Sequence, residues 1–137
     1  MVFVTRKEHF NAAHKLYNPD WSKDRNEEVF GPCANLHGHN FDLYVTIKGQ
    51  PDPETGFVVD FKRLSLLMKN EVVEKLDHKN LNLDVDFMAG KMASTEVLVV
   101  EIWRILAPAI KEITSFGELY SLKLYETSRN FVEYRGE

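Results

Sequence analysis

Cys33, His37 and His39 lie in one short run, Cys33-Ala34-Asn35-Leu36-His37-Gly38-His39, and their side chains could support metal and proton chemistry. Imidazole nitrogen is a preferred zinc ligand, and a cation near a thiol lowers its pKa, making it a usable base or nucleophile. The spacing matters as much as the residue types. Asn40 to Ile47 alternate polar and apolar and read as a half-buried strand. Residues i and i+2 of a strand share a face, so His37 and His39 project together with Phe41, Leu43, Val45 and Ile47. Catalytic zinc commonly takes three protein ligands and leaves a fourth position open. His14 is the best third ligand, because it ends a first extended segment that can pair beside His39. His9 is an odd number of residues from His14 and should face the other way.

Further residues could serve the same site. Asp77-His78 reads either as a polar turn ending a helix or as a carboxylate orienting an imidazole for proton transfer. Glu96 and Glu126 would ordinarily be a helix N-terminal charge and an exposed strand-end residue. Cys33 reads as a small buried hydrophobe or as a reactive thiol, and its place after Gly31-Pro32 in a polar segment favours the thiol.

These residues need elements to hold them. Val2 to His14 is expected to be extended, with Phe10, Ala12 and His14 on one face. Lys15 to Asn35, with Pro19, Gly31 and Pro32, reads as a long loop, and such loops are usually functional. A strand from His37 to Lys48 leads into a turn over Gly49-Gln50-Pro51-Asp52-Pro53-Glu54-Thr55-Gly56. Asp60 is a plausible N-cap for a helix whose buried face carries Phe61, Leu64, Met68, Val72 and Leu76. A second helix begins near Ser94-Thr95-Glu96, with Val99, Ile102, Leu106, Ile110 and Ile113 as its stripe and Pro108 expected to kink or interrupt it. Leu119 to Glu126 and Phe131 to Tyr134 alternate as two strands. The order β-β-α-α-β-β predicts an α+β fold, a four-stranded antiparallel sheet carrying two helices on one face.

The chain has 137 residues, which suits one domain spanning 1–137. Its net charge of −4 argues against nucleic acid or an anionic membrane as a partner. No apolar run is long enough to span a bilayer, and the single cysteine fits a reducing, cytoplasmic setting. No glycine-rich dinucleotide motif occurs.

Taken together, the residues resemble the 6-pyruvoyl-tetrahydropterin synthase / 6-carboxy-tetrahydropterin synthase family. The likeness is carried by Phe10-Asn11-Ala12-Ala13-His14, Cys33 to His39, and Pro53 to Phe61. It continues through Leu76-Asp77-His78-Lys79-Asn80-Leu81-Asn82, Ala93-Ser94-Thr95-Glu96 and Tyr125-Glu126-Thr127. Asn11 departs from the family's frequent serine. The resemblance implies the tunnelling fold, whose subunits join their sheets into a barrel as trimers or hexamers. It implies zinc on His14, His37 and His39, with Cys33, Asp77 and His78 as catalytic residues assembled across a subunit interface. It also implies Glu126 as the pterin anchor, with Thr95 and Glu96 as neighbouring pterin contacts. The substrate implied is 7,8-dihydroneopterin triphosphate.

The family has two products. The three-residue gap between Cys33 and His37 looks like the branch that makes 6-carboxy-5,6,7,8-tetrahydropterin and acetaldehyde for queuosine and 7-deazaguanine synthesis. The alternative is 6-pyruvoyl-tetrahydropterin for tetrahydrobiopterin. Two unrelated classes compete with both: a zinc hydrolase, and a non-catalytic zinc module with Cys33 as its fourth ligand.

Overall fold

The computed structural model describes residues 1–137. One five-stranded sheet organises it, in the order β3-β1-β2-β4-β5. Strands β1 (Val2–His14) and β2 (His37–Gly49) form a long antiparallel ribbon, with β4 (Gly117–Tyr125) against β2 and β5 (Phe131–Tyr134) against β4. The expected four-stranded antiparallel sheet gains a fifth member. The two residues of β3 (Lys79–Asn80) pair in parallel with Ala12 and Ala13 of β1 and make the sheet mixed. The His78 N–H donates to the Asn11 carbonyl (2.6 Å) and the Leu81 N–H to that of Ala13 (2.8 Å), anchoring this short strand at both ends. Two residues are too few to show a period, so the strand is silent in the sequence.

Polar–apolar alternation places Phe10 and Ala12 of β1 and Phe41, Leu43, Val45 and Ile47 of β2 on one buried face. A bulge in β4 shifts the phase. Thr46 pairs with Ser121 and Ile47 with Leu119, so Tyr120 is the extra residue, and Ser121 and Leu122 are both buried. Two helical segments cover this face. The first runs through α2 (Phe61–Met68), a π-helical turn (Lys69–Val73) and a last turn, α3 (Glu74–Leu76). Its apolar residues Leu64, Met68, Val72 and Leu76 recur every four positions and are all fully buried. In an ideal α-helix each such step drifts by about 40°, which would carry Leu76 off the face. The wider π turn absorbs the drift. Phe61 is the exception to the expected stripe: it borders a groove beside Arg6 and stays 49% exposed.

The second, α4 (Thr95–Lys111), is capped by Ser94, whose hydroxyl accepts from the Val97 N–H at 3.2 Å. Pro108 does not end it. Pro108 and Arg104, whose carbonyl loses its helical partner, both lie on the exposed side, where water can satisfy that oxygen. The predicted loop over Lys15 to Asn35 contains a helix, α1 (Lys23–Phe30), capped by Ser22, and a 3₁₀ turn (Gly31–Ala34) carrying Cys33. That helix is polar and buries only Asn26, so it lacks the apolar stripe by which helices are read. No helix is long and apolar enough to cross a membrane. The other face of the sheet carries Phe3, Tyr44, Tyr125 and Phe131 among charged residues and has no helix over it.

Candidate metal and ligand site

The β1–β2 register sets His14 directly opposite His37, while His37 and His39 share a face two residues apart. The three imidazoles therefore meet at one end of the ribbon, each offering a nitrogen within 4.8 Å of the others. His14 is buried and its Nδ1–H donates to the Ala93 carbonyl at 2.6 Å; His37 Nδ1–H donates to the Asn35 carbonyl at 2.7 Å. A carbonyl can only accept, so these bonds fix the tautomers and leave both Nε2 lone pairs free. The Nε2 atoms of His14 and His39 are buried without any protein partner. These two orphaned nitrogens, with His37 converging on them, are a donor set suited to a borderline-soft divalent cation such as zinc. Burial lowers the pKa values of His14 and His39, and the neighbouring imidazoles add to the effect; Glu126 opposes it at both, as does the Ala93 bond at His14. The neutral, ligating form is thereby favoured. Beneath them Phe10 and Phe41 stack at 5.0 Å and keep that side of the cluster dry.

Glu126 borders the cluster. Its Oε1 lies 3.6 Å from His39 Nε2, and its Oε2 accepts the Thr95 hydroxyl at 2.5 Å. Thr95 is the first residue of α4 and is buried, so a helix terminus clamps a carboxylate at the end of β4. A hollow of about 210 Å³ beside them is lined by Thr95, Glu96, Glu126, Asn130, Phe131 and Val132. The three predicted ligand-binding residues thus come together, and Asn130, Phe131 and Val132 join them. Those three belong to a turn and an edge strand whose residue types suggested only structure.

Asp77 and His78 form a pair, with Oδ2 and Nδ1 2.9 Å apart. The Asn11 N–H donates to Asp77 Oδ1 at 2.8 Å, and this bond, followed by that from His78, holds the carboxyl below its usual range. His78 is the one non-glycine residue with positive φ (61°), a conformation kept only where surrounding bonds impose it. It lines a cavity of about 510 Å³ with Asn11, His39, Lys79 and Asn80, on the β1–β3 side. Cys33 is exposed and is not among the residues lining that cavity, although Leu36, three residues further along the same segment, is. Asn35 and Ala93, whose carbonyls orient two imidazoles, escaped the sequence reading because a main-chain oxygen leaves no trace in residue type.

Residues 3–137 match the family described as 6-pyruvoyl tetrahydropterin synthase. The chain is 41% identical over 136 residues to a Dictyostelium discoideum protein named 6-pyruvoyl tetrahydrobiopterin synthase, covering 99% of this chain and 97% of that one. A solved structure of Caenorhabditis elegans 6-pyruvoyl tetrahydropterin synthase superposes with a TM-score of 0.87 at 33% identity, covering 99% of this chain and 96% of the other. Similarity to a Rickettsia bellii 6-carboxy-5,6,7,8-tetrahydropterin synthase is lower, 26% identity over 148 residues, spanning 97% of this chain and 99% of that protein.

Proposed function

The chain belongs to the 6-pyruvoyl tetrahydropterin synthase family of lyases, and from that membership we propose that it converts 7,8-dihydroneopterin triphosphate to 6-pyruvoyl-tetrahydropterin with loss of triphosphate. The observation that carries this reading is the adjacency of two constellations. Three free imidazole nitrogens converge beside a carboxylate, Glu126, that is itself clamped by Thr95. A metal centre for the substrate's side chain next to an anchor for its ring is the arrangement this reaction needs.

Each residue then has a task. Glu126 accepts paired hydrogen bonds from the pterin ring's N–H and amino donors, which fixes the ring's orientation. Thr95 holds that carboxylate in place, and Glu96 borders the same hollow. His14, His37 and His39 would hold zinc, which would supply Lewis acidity at an oxygen of the substrate side chain. Cys33 removes a proton from carbon beside that oxygen, and His78, oriented by Asp77, returns or relays one. The redox change is internal to the substrate, so no nicotinamide takes part. Cys33 and His78 are both exposed, and Cys33 does not line the cavity bordered by His78, which supports a site completed between copies in a homo-oligomer, a trimer or a hexamer. The uncovered sheet face, the edge strand β5 and the part of β1 beyond its two-residue pairing with β3 are surfaces suited to such closure.

The product expected from the Cys33–His37 gap was the carboxy compound, whereas similarity to named relatives favours the pyruvoyl compound. That three-residue gap and the weaker similarity to the Rickettsia bellii protein support the second reading, 6-carboxytetrahydropterin with release of acetaldehyde. Incubating the zinc-loaded protein with dihydroneopterin triphosphate and weighing the product separates them. The pyruvoyl mass without acetaldehyde is expected; acetaldehyde with the carboxy mass selects the second reading. No conversion by zinc-loaded protein overturns both.

A further inference from the structure

Asn26 is the one buried residue of α1, and it is fully buried although polar. Its amide is bonded at both ends. Oδ1 accepts the Asn18 N–H at 2.7 Å, and Nδ2 donates to the Asn18 and Ser22 carbonyls, each at 3.0 Å, with a longer contact to that of Trp21 at 3.4 Å. All these partners are main chain on the incoming limb of the loop between β1 and β2. The outgoing limb starts in α1, turns at Gly31 (φ 57°) and enters the 3₁₀ turn holding Cys33. A second tie joins the limbs at Cys33 itself, where the Leu16 N–H donates to the Cys33 carbonyl at 2.8 Å. Leu16 is in turn adjacent to Lys15, whose N–H and carbonyl are both engaged by the Asn82 side chain at 2.9 and 3.1 Å. The thiol-bearing turn thus hangs from a double clasp, with Asn26 as its side-chain member.

We propose that Asn26 is a positioning residue for the reaction, holding the two limbs of the loop together so that the turn carrying Cys33 keeps a fixed place when the substrate is bound. This rests on the reading of Cys33 as the proton-removing base. The physical case is one of substitution. Four backbone partners converge on one amide, and no other natural side chain of that length offers an acceptor and two donors there. The nearby Trp21–Phe30 stacking and the Arg25–Trp21 contact are ring contacts that supply no hydrogen bond in place of those. Asn26 touches no imidazole of the metal centre, so its loss should spare metal and ring binding while releasing the base.

The test compares Asn26→Ala and Asn26→Ser with Cys33→Ala and with Lys23→Ala, an exposed control on the same helix. All are assayed as zinc-loaded full-length protein with dihydroneopterin triphosphate. Asn26→Ala should keep its zinc, change KM by less than about threefold and lower kcat by about 100-fold, the scale of a misplaced catalytic group. Asn26→Ser, with one hydroxyl left to donate, should fall between it and the natural protein. A second readout is alkylation of Cys33, the only thiol, with and without bound neopterin. Neopterin should slow alkylation in the natural protein and in Lys23→Ala, and should lose that protection in Asn26→Ala while binding as before. If Cys33→Ala turns over normally, the reading of the base fails. If Cys33→Ala is dead but Asn26→Ala keeps its kcat and its protection, the positioning role is refuted. Loss of the global fold or of zinc in both Asn26 variants also refutes it, because Asn26 would then act on the domain and not on Cys33.

Discussion

Thr95→Val removes a single interaction with almost no change of shape. The Thr95 hydroxyl donates to Glu126 Oε2 at 2.5 Å, and Val replaces it with a methyl of similar volume. A hydrogen bond to a charged group contributes about 1.5–3 kcal/mol. The lower end applies here, because the Glu126 side chain is 27% exposed and water can take up part of the lost bond. About 1.5 kcal/mol corresponds to roughly a tenfold change in an equilibrium constant. The loss should appear in ring binding, since Thr95 contacts the anchor and not the imidazoles. Titration calorimetry of neopterin against zinc-loaded protein should show about tenfold weaker binding, with zinc content unchanged. Unaltered affinity would refute the clamp. Zinc loss would show that Thr95 supports the metal centre instead, and would refute the separation of the two tasks.

His14→Ala should abolish stoichiometric zinc binding, measured by metal analysis after dialysis, because it removes the most buried of the three imidazoles. Asp77 has a folded pKa held below its usual value by the Asn11 N–H and by His78, so its stabilising contribution is present above the ordinary carboxylate range. That contribution is lost as pH falls through the lowered value; Asp77→Asn should flatten this acid limb in melting experiments, and an unchanged limb would contradict the assignment. For Glu8, burial alone would raise the pKa, but bonds from Ser65 and Arg6 outweigh it and the net direction is down. Glu8→Gln should cost about 1–2 kcal/mol by denaturant titration at neutral pH, a difference that should vanish as pH falls through the lowered value. Gly49→Ala would place a Cβ 2.1 Å from the Phe116 carbonyl oxygen. A drop in melting temperature is expected, larger than for alanine at Gly56, where the positive φ of 79° disfavours a Cβ but no atom lies within 4 Å of it.

What could be read before folding was whatever repeats along one element. The alternation after His37 placed two imidazoles on one face, and the four-residue spacing of Leu64, Met68, Val72 and Leu76 marked a buried helix. The third imidazole, His14, followed from parity along β1, whereas its position opposite His37 depended on a register no local pattern states. Elements without a period were invisible: β3 has two residues, and α1 buries only a polar one. The adjacency of Glu126 to His39 was invisible for a different reason. It joins residues 87 positions apart (126 minus 39) through the order of β2 and β4, and only the family resemblance connected them.

The link between β1 and β2 is not a tight hairpin turn but a loop with its own helix and its own internal bonds. Tight turns ordinarily dictate how two strands align. Here the alignment is imposed by thirteen paired positions, from Val2 against Gly49 to His14 against His37, and by the Phe10–Phe41 face they bury. Insertions or deletions in the loop can therefore leave the imidazoles where they are. The ribbon bearing the three imidazoles and the arm bearing the thiol are separately adjustable mounts. A change of a residue or two in the arm before Asn35, whose carbonyl orients His37, can then move Cys33 without disturbing the paired positions that hold the imidazoles.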